Sequence, residues 1–112
     1  MTFDDVAALV SAWPGVEAGT HYGTPAFKVG GKAFTRLKED GMSIVLFDVP
    51  IEEREVLVEA APEVFFFTDH YRNYPAVLVR LSNAQPDQVR PYLERSWRAR
   101  CPKRLLKAAG LG

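Results

Sequence analysis

The sequence predicts an α+β fold, an antiparallel sheet of about five strands with three helices, in the order helix, three or four strands, helix, two strands, helix. Three observations predict it. Apolar residues near both ends recur at the spacing of an amphipathic helix: Phe3, Val6, Ala7, Val10 and Trp13 in one case, Val89, Leu93, Trp97 and Cys101 in the other. Between them lie short apolar runs bounded by glycine turns, the pattern of local hairpins and hence of an antiparallel sheet. Finally, 112 residues of which 47% are hydrophobic and 25% charged suit one folded domain, residues 1–112, and exclude a disordered chain.

Each element has its own signals. Thr2 can cap the first helix, with Asp5 three residues on, and Pro14-Gly15 stops it. Val16–His21 reads as an edge strand or an extended connection. Pro25–Val29 and Lys32–Lys38 flank Gly30-Gly31, where both residues can take the positive φ of a two-residue hairpin turn. Glu39-Asp40-Gly41 turns the chain into Met42–Val49, whose four successive apolar residues from Ile44 to Phe47 imply burial on both faces. Pro50 suits the first position of the second helix, and Glu52, Glu53 and Glu55 suit the positive end of its dipole. Ile51, Leu57, Val58 and Ala61 supply an apolar face, and Pro62 ends the helix. Val64–Phe67 and Ala76–Leu81 are strands joined by the polar and aromatic segment Asp69–Pro75. Pro86 opens the last helix, Pro91 is expected to kink it or restart its first turn, and Pro102 closes it. Lys103–Ala109 is left for one further turn or two.

Several classes are excluded. The longest apolar run, Val6–Val10, has five residues and cannot cross a bilayer. No basic residue precedes Lys28, so the start does not read as a secretion signal, and a cytoplasmic protein without a membrane role is expected. The single Cys forms no internal disulfide; Cys101 lies on an apolar helix stripe and reads as an inert thiol. Gly30-Gly31-Lys32 has strands on both sides and is no phosphate loop. His21 and His70 are the only histidines and lack metal-ligand spacing, so neither a metal nor a cofactor is expected. With no nameable acid–base constellation, a non-enzymatic protein is expected.

Net charge is zero but the charge is arranged in blocks. Residues 28–38 carry +4, residues 39–63 carry −7 and residues 90–112 carry +6. Glu94 has Arg90 and Arg98 four residues to either side, a spacing that permits helix-surface pairs. The remaining C-terminal cations face either a nucleic-acid backbone or the acidic 39–63 block.

The stretch Tyr22-Gly23-Thr24-Pro25-Ala26-Phe27-Lys28-Val29-Gly30-Gly31-Lys32-Ala33-Phe34, the stretch from Phe67 to Leu81, Trp97 and Pro102-Lys103-Arg104-Leu105 together resemble the MmcQ/YjbR family over nearly the whole chain. The resemblance implies the order α-β(3)-α-β(2)-α, related to secretion-chaperone-like folds, and no catalytic residue to transfer. It also implies DNA binding through a double wing, here Pro25–Lys38 and Val64–Leu81.

The residues supply matching chemistry. Period-two alternation puts Phe27, Val29, Lys32, Phe34, Arg36 and Lys38 on one face of the first hairpin and Ala26, Lys28, Ala33, Thr35 and Leu37 on the other. Aromatics among cations suit phosphate contact beside base stacking. The expected DNA contacts are Lys28, Lys32, Arg36, Lys38, His70, Arg72, Arg95, Arg98, Lys103 and Arg104. With no base-reading recognition helix, binding would be weakly sequence-specific. Two alternatives stand: a protein-binding or chaperone-like adaptor, and a small-molecule pocket formed by His21, Tyr22, Thr24, His70, Tyr71 and Tyr74.

Overall fold

A computed structural model of the protein describes residues 1–111. The first helix, α1 (Phe3–Val10), starts from a complete capping box. The Thr2 hydroxyl accepts the Asp5 N–H at 3.1 Å and the Asp5 carboxylate accepts the Thr2 N–H at 2.7 Å. Six strands follow in the chain, β1 (Glu17–His21), β2 (Thr24–Val29), β3 (Lys32–Leu37), β4 (Ser43–Phe47), β5 (Phe65–Phe66) and β6 (Ala76–Arg80). Helix α2 (Ile51–Ala60) lies between β4 and β5, and α3 (Pro86–Arg100) and α4 (Lys103–Ala108) follow β6. The strands form one antiparallel sheet in the order β1-β2-β3-β4-β6-β5.

The fold is α+β, with six strands where about five are expected and with four helices rather than three. Val16–His21 supplies the extra strand: Glu17 to His21 pairs along β2 from Lys28 to Thr24, although four of its five residues are exposed and carry no apolar signal. Residues after Pro102 form α4 as a helix of its own. Helix α3 runs unbroken through Pro91, which sits on its exposed side and removes one N–H without breaking the helix. Pro50 caps α2 from outside instead of opening it, and the buried residue of α2 is Arg54; Ile51, Leu57, Val58 and Ala61 are only half-buried.

Alternation along β4 and β6 explains the four-residue apolar run. Ile44, Leu46, Val77 and Val79 face the main core with Val6 and Val10 of α1 and Val89, Leu93 and Trp97 of α3. Trp97 is fully buried, and its indole N–H donates to the Pro14 carbonyl at 3.0 Å. Val45, Ala76 and Leu78 point the other way, into a smaller cluster with Tyr71, Phe47 and Phe66, to which none of the α-helices contributes.

One irregularity decides what that second face carries. Val29 pairs with Lys32 and Lys28 with Ala33, as a two-residue hairpin requires, but Phe27 then pairs with Thr35 instead of Phe34. The register shift is a β-bulge in β3. It leaves Phe34 in the main core and turns Arg36, opposite Ala26 and Val45, to the second face. Strict alternation, which puts Arg36 beside Phe27, Val29 and Phe34, is thus corrected at the bulge.

Candidate functional site

The second face carries a cavity of about 490 Å³ lined by His21, Tyr22, Arg36, Glu39, Phe47, His70, Tyr71 and Tyr74. Arg36, at 3% exposed, forms its floor. One terminal nitrogen, Nη2, donates to the Tyr71 hydroxyl at 2.8 Å. The other, Nη1, donates to the Thr24 hydroxyl at 3.1 Å, the Glu39 carboxylate at 3.0 Å and, at 3.4 Å, the Leu37 carbonyl. A buried guanidinium needs such partners, because burial without them costs several kcal/mol.

One wall is the β1–β2 turn. Tyr22 and Gly23 both have positive φ, 52° and 77°, which is the tight hairpin geometry. Positive φ in a tyrosine is uncommon. Here it leaves the ring 79% exposed, with the Arg36 guanidinium 5.6 Å from its centroid. His21 lies 4.3 Å from Tyr22 and meets Phe47 edge-on at 6.3 Å.

The opposite wall is the β5–β6 connection, with a short 3₁₀ turn at Asp69–Tyr71. His70 stacks near-parallel on Tyr74 at 6.2 Å and meets Tyr71 edge-on at 4.8 Å. Arg54 of α2 holds this segment from behind. Its Nη1 donates to the carbonyls of Tyr71, Tyr74 and Ala76, and its Nη2 to that of Arg72, at 2.8 to 3.2 Å.

The cavity pairs one cation, Arg36, with one anion, Glu39. Burial, and then the neighbouring Arg36, Lys28 and Arg100, push the His21 imidazole below its usual range, so it is mainly neutral at pH 7. A hydrogen bond from its own backbone N–H and the Arg36 guanidinium hold the Glu39 carboxyl low and ionised.

Of the six pocket residues read from the sequence, His21, Tyr22, His70, Tyr71 and Tyr74 meet around this cavity, and Thr24 lies beneath it. The residues expected at DNA do not form one face. Arg36 is buried in the cavity floor. Arg72 pairs with Asp69 at 2.6 Å, and Arg95 of α3 pairs with Glu53 of α2 at 3.1 Å. Lys28 and Lys38 are half-buried, Lys38 lying 3.9 Å from Glu39. Arg98 donates to the Leu111 carbonyl at 3.2 Å, and neither it nor Arg90 pairs with Glu94 among the described residues. Exposed Lys32, Lys103 and Arg104 lie toward the end of the molecule where Gly30 packs on Pro102.

Sequence reasoning missed Arg54, Glu39 and Phe47 as parts of the site. It also missed a knot in which Arg100 bridges Asp48 at 2.8 Å and the Ala33 carbonyl at 2.8 Å, beside the Phe47 ring. The helical period did place Arg54 on the side of Leu57, Val58 and Ala61, but an Arg there reads as surface charge.

Comparisons with known proteins agree with this architecture. A family model described as YjbR matches residues 11–99. Uncharacterized proteins of Mycobacterium tuberculosis and Mycobacterium bovis are 30% identical over 121 aligned positions, covering 96% of this chain and 94% of theirs. The crystal structure of a Deinococcus radiodurans protein with a DUF419 domain superposes with a TM-score of 0.74 at 21% identity, over 99% of this chain and 89% of that one.

Proposed function

The chain belongs to the YjbR family, and we propose that this member is a non-enzymatic binding module whose cavity takes a flat ring bearing one negative charge. The observation that carries the reading is the buried guanidinium of Arg36, set at the bottom of a mouth made of aromatic rings. Small-molecule sites generally pair an apolar or aromatic wall with a few converging polar groups, in ~300–1,000 Å³. Tyr22, Phe47, Tyr71 and Tyr74 supply ring faces and edges, and Arg36 supplies the cation. Glu39, the carboxylate among the lining residues, is bonded to Arg36 and to neither imidazole, which favours binding over covalent chemistry.

Titration of labelled protein with benzoate and 4-hydroxybenzoate, followed by amide NMR, tests this. Shifts should concentrate at the β1–β2 turn and at residues 69–75. Tyr22→Ala and Tyr74→Ala, at exposed rings, should each weaken binding by roughly tenfold. No saturable shift at millimolar ligand rejects the reading.

A second observation favours weakly specific contact with DNA. Gly30 of the β2–β3 turn packs so closely on Pro102 that a Cβ would lie 2.7 Å from the proline ring. The turn carrying Lys32 therefore meets the helix carrying Lys103, Arg104 and Lys107, and none of these four is ion-paired among the described residues. Such an end suits a phosphate backbone.

A further inference from the structure

Among the described residues, Glu39 is the only anion bonded to the buried Arg36. The other partners of Arg36 belong to the sheet or to the Asp69–Tyr71 turn and cannot leave without disrupting them. Glu39 differs. Its side chain is 59% exposed and reaches Arg36 from the solvent side of the cavity. The turn that carries it is braced chiefly by Asp40. Asp40 Oδ1 accepts the N–H groups of Met42 and Ser43 at 2.8 and 3.0 Å, and Asp40 Oδ2 accepts the Ser43 hydroxyl at 3.0 Å. A second cation also stands within reach, since the other Glu39 oxygen lies 3.9 Å from Lys38 Nζ.

We propose that Glu39 is a resident stand-in for the ligand: its carboxylate occupies Arg36 Nη1 until the carboxylate of an aromatic acid displaces it and Glu39 moves to Lys38. The proposal rests on the cavity being the binding site. It narrows the ligand class by charge. Exchange of one carboxylate for another leaves the charge on Arg36 balanced, whereas a dianion would bring an uncompensated charge into a partly buried site. A neutral ring has nothing to exchange for Glu39 and gains only the aromatic contacts. The two N–H groups of Arg36 Nη1 are already directed at Thr24, Leu37 and Glu39, so a ligand carboxylate gains an N–H there only as Glu39 releases it.

Calorimetric titration with benzoate, and with benzyl alcohol as the neutral control, tests this on the wild type, Glu39→Gln and Glu39→Asp. The Gln variant removes the competing charge. The Asp variant keeps the charge but shortens the reach to Arg36, and so separates occupancy from net charge. Both variants should bind benzoate about fivefold more tightly than the wild type, with benzyl alcohol unchanged and melting temperatures confirming the fold. If the wild type binds benzoate and neither variant binds it more tightly, Glu39 is not a stand-in, while the cavity reading survives. If none of the three binds, the cavity reading falls and this inference with it. Binding by the variants alone would support both.

Discussion

At the scale of single residues, two charged side chains are used in opposite ways. Arg54 is 2% exposed and is spent on four carbonyl oxygens of one segment. Its removal takes a donor from each of the four, although the Tyr71 and Tyr74 carbonyls keep the backbone N–H groups of Tyr74 and Ala76. Arg54→Met should therefore cost about 1–3 kcal/mol in urea denaturation, and Arg54→Lys should restore little, because an ammonium lacks the planar fork that spans four oxygens. His21 is instead tuned by its surroundings. Its folded pKa lies below the unfolded value of 6.5, so the unfolded chain takes up a proton first as pH falls. The stabilisation is present above that value and is lost as pH drops through the folded pKa. Melting temperature should thus fall below about pH 6.5, and His21→Gln should flatten that part of the profile. An unchanged profile in the variant would show that His21 does not carry the effect.

At the scale of elements, the β2–β3 hairpin has two jobs joined by its bulge. Its turn docks on Pro102, and its far end turns Arg36 into the cavity. Gly30 has φ 57° as well as the close approach to Pro102. Gly30→Ala should cost about 1–3 kcal/mol by chemical denaturation, from backbone strain before any clash is counted. Helix α3 is the other keystone, because its stripe of Val89, Leu93 and Trp97 closes the main core. Trp97→Ala should cost about 3–5 kcal/mol; a denaturation midpoint that barely moves would contradict the packing of Trp97 against Trp13 at 5.7 Å.

At the scale of the whole molecule, the charge blocks partly neutralise each other. Arg95 and Arg100 of the basic block meet Glu53 and Asp48 of the acidic one. Among the described residues that keep no ion pair are Lys32, Lys103, Arg104 and Lys107, on the turn and helix that meet at Gly30 and Pro102. If that end contacts DNA, fluorescence anisotropy with a generic duplex should show affinity falling with salt at a logarithmic slope of about −3, for three or four phosphates. Lys32→Glu with Arg104→Glu should reduce binding while leaving any benzoate titration unchanged. Absence of binding at low salt with high micromolar protein would reject the DNA reading. No described helix is long and apolar enough to cross a membrane.

The α+β class, the first and last helices, the Gly30-Gly31 hairpin and the aromatic residues of the cavity were all legible along the chain. Each is written in local terms: a helical period, a capping box, a glycine pair, a polar-aromatic loop. Strand β1 was ambiguous, because an edge strand exposed on four of its five residues has no apolar pattern, and pairing with β2 alone creates it. Tertiary structure alone decided the bulge in β3. A one-residue shift of register reverses which face a side chain occupies, and no local pattern from Phe27 to Arg36 records it. That shift moved Arg36 from an expected surface contact to the buried floor of the cavity, where Tyr71, Thr24 and Glu39 close around it. Arg54 is the same lesson in an α-helix: a cation is buried when four carbonyls from a distant segment converge on it, and that convergence exists only in the folded chain.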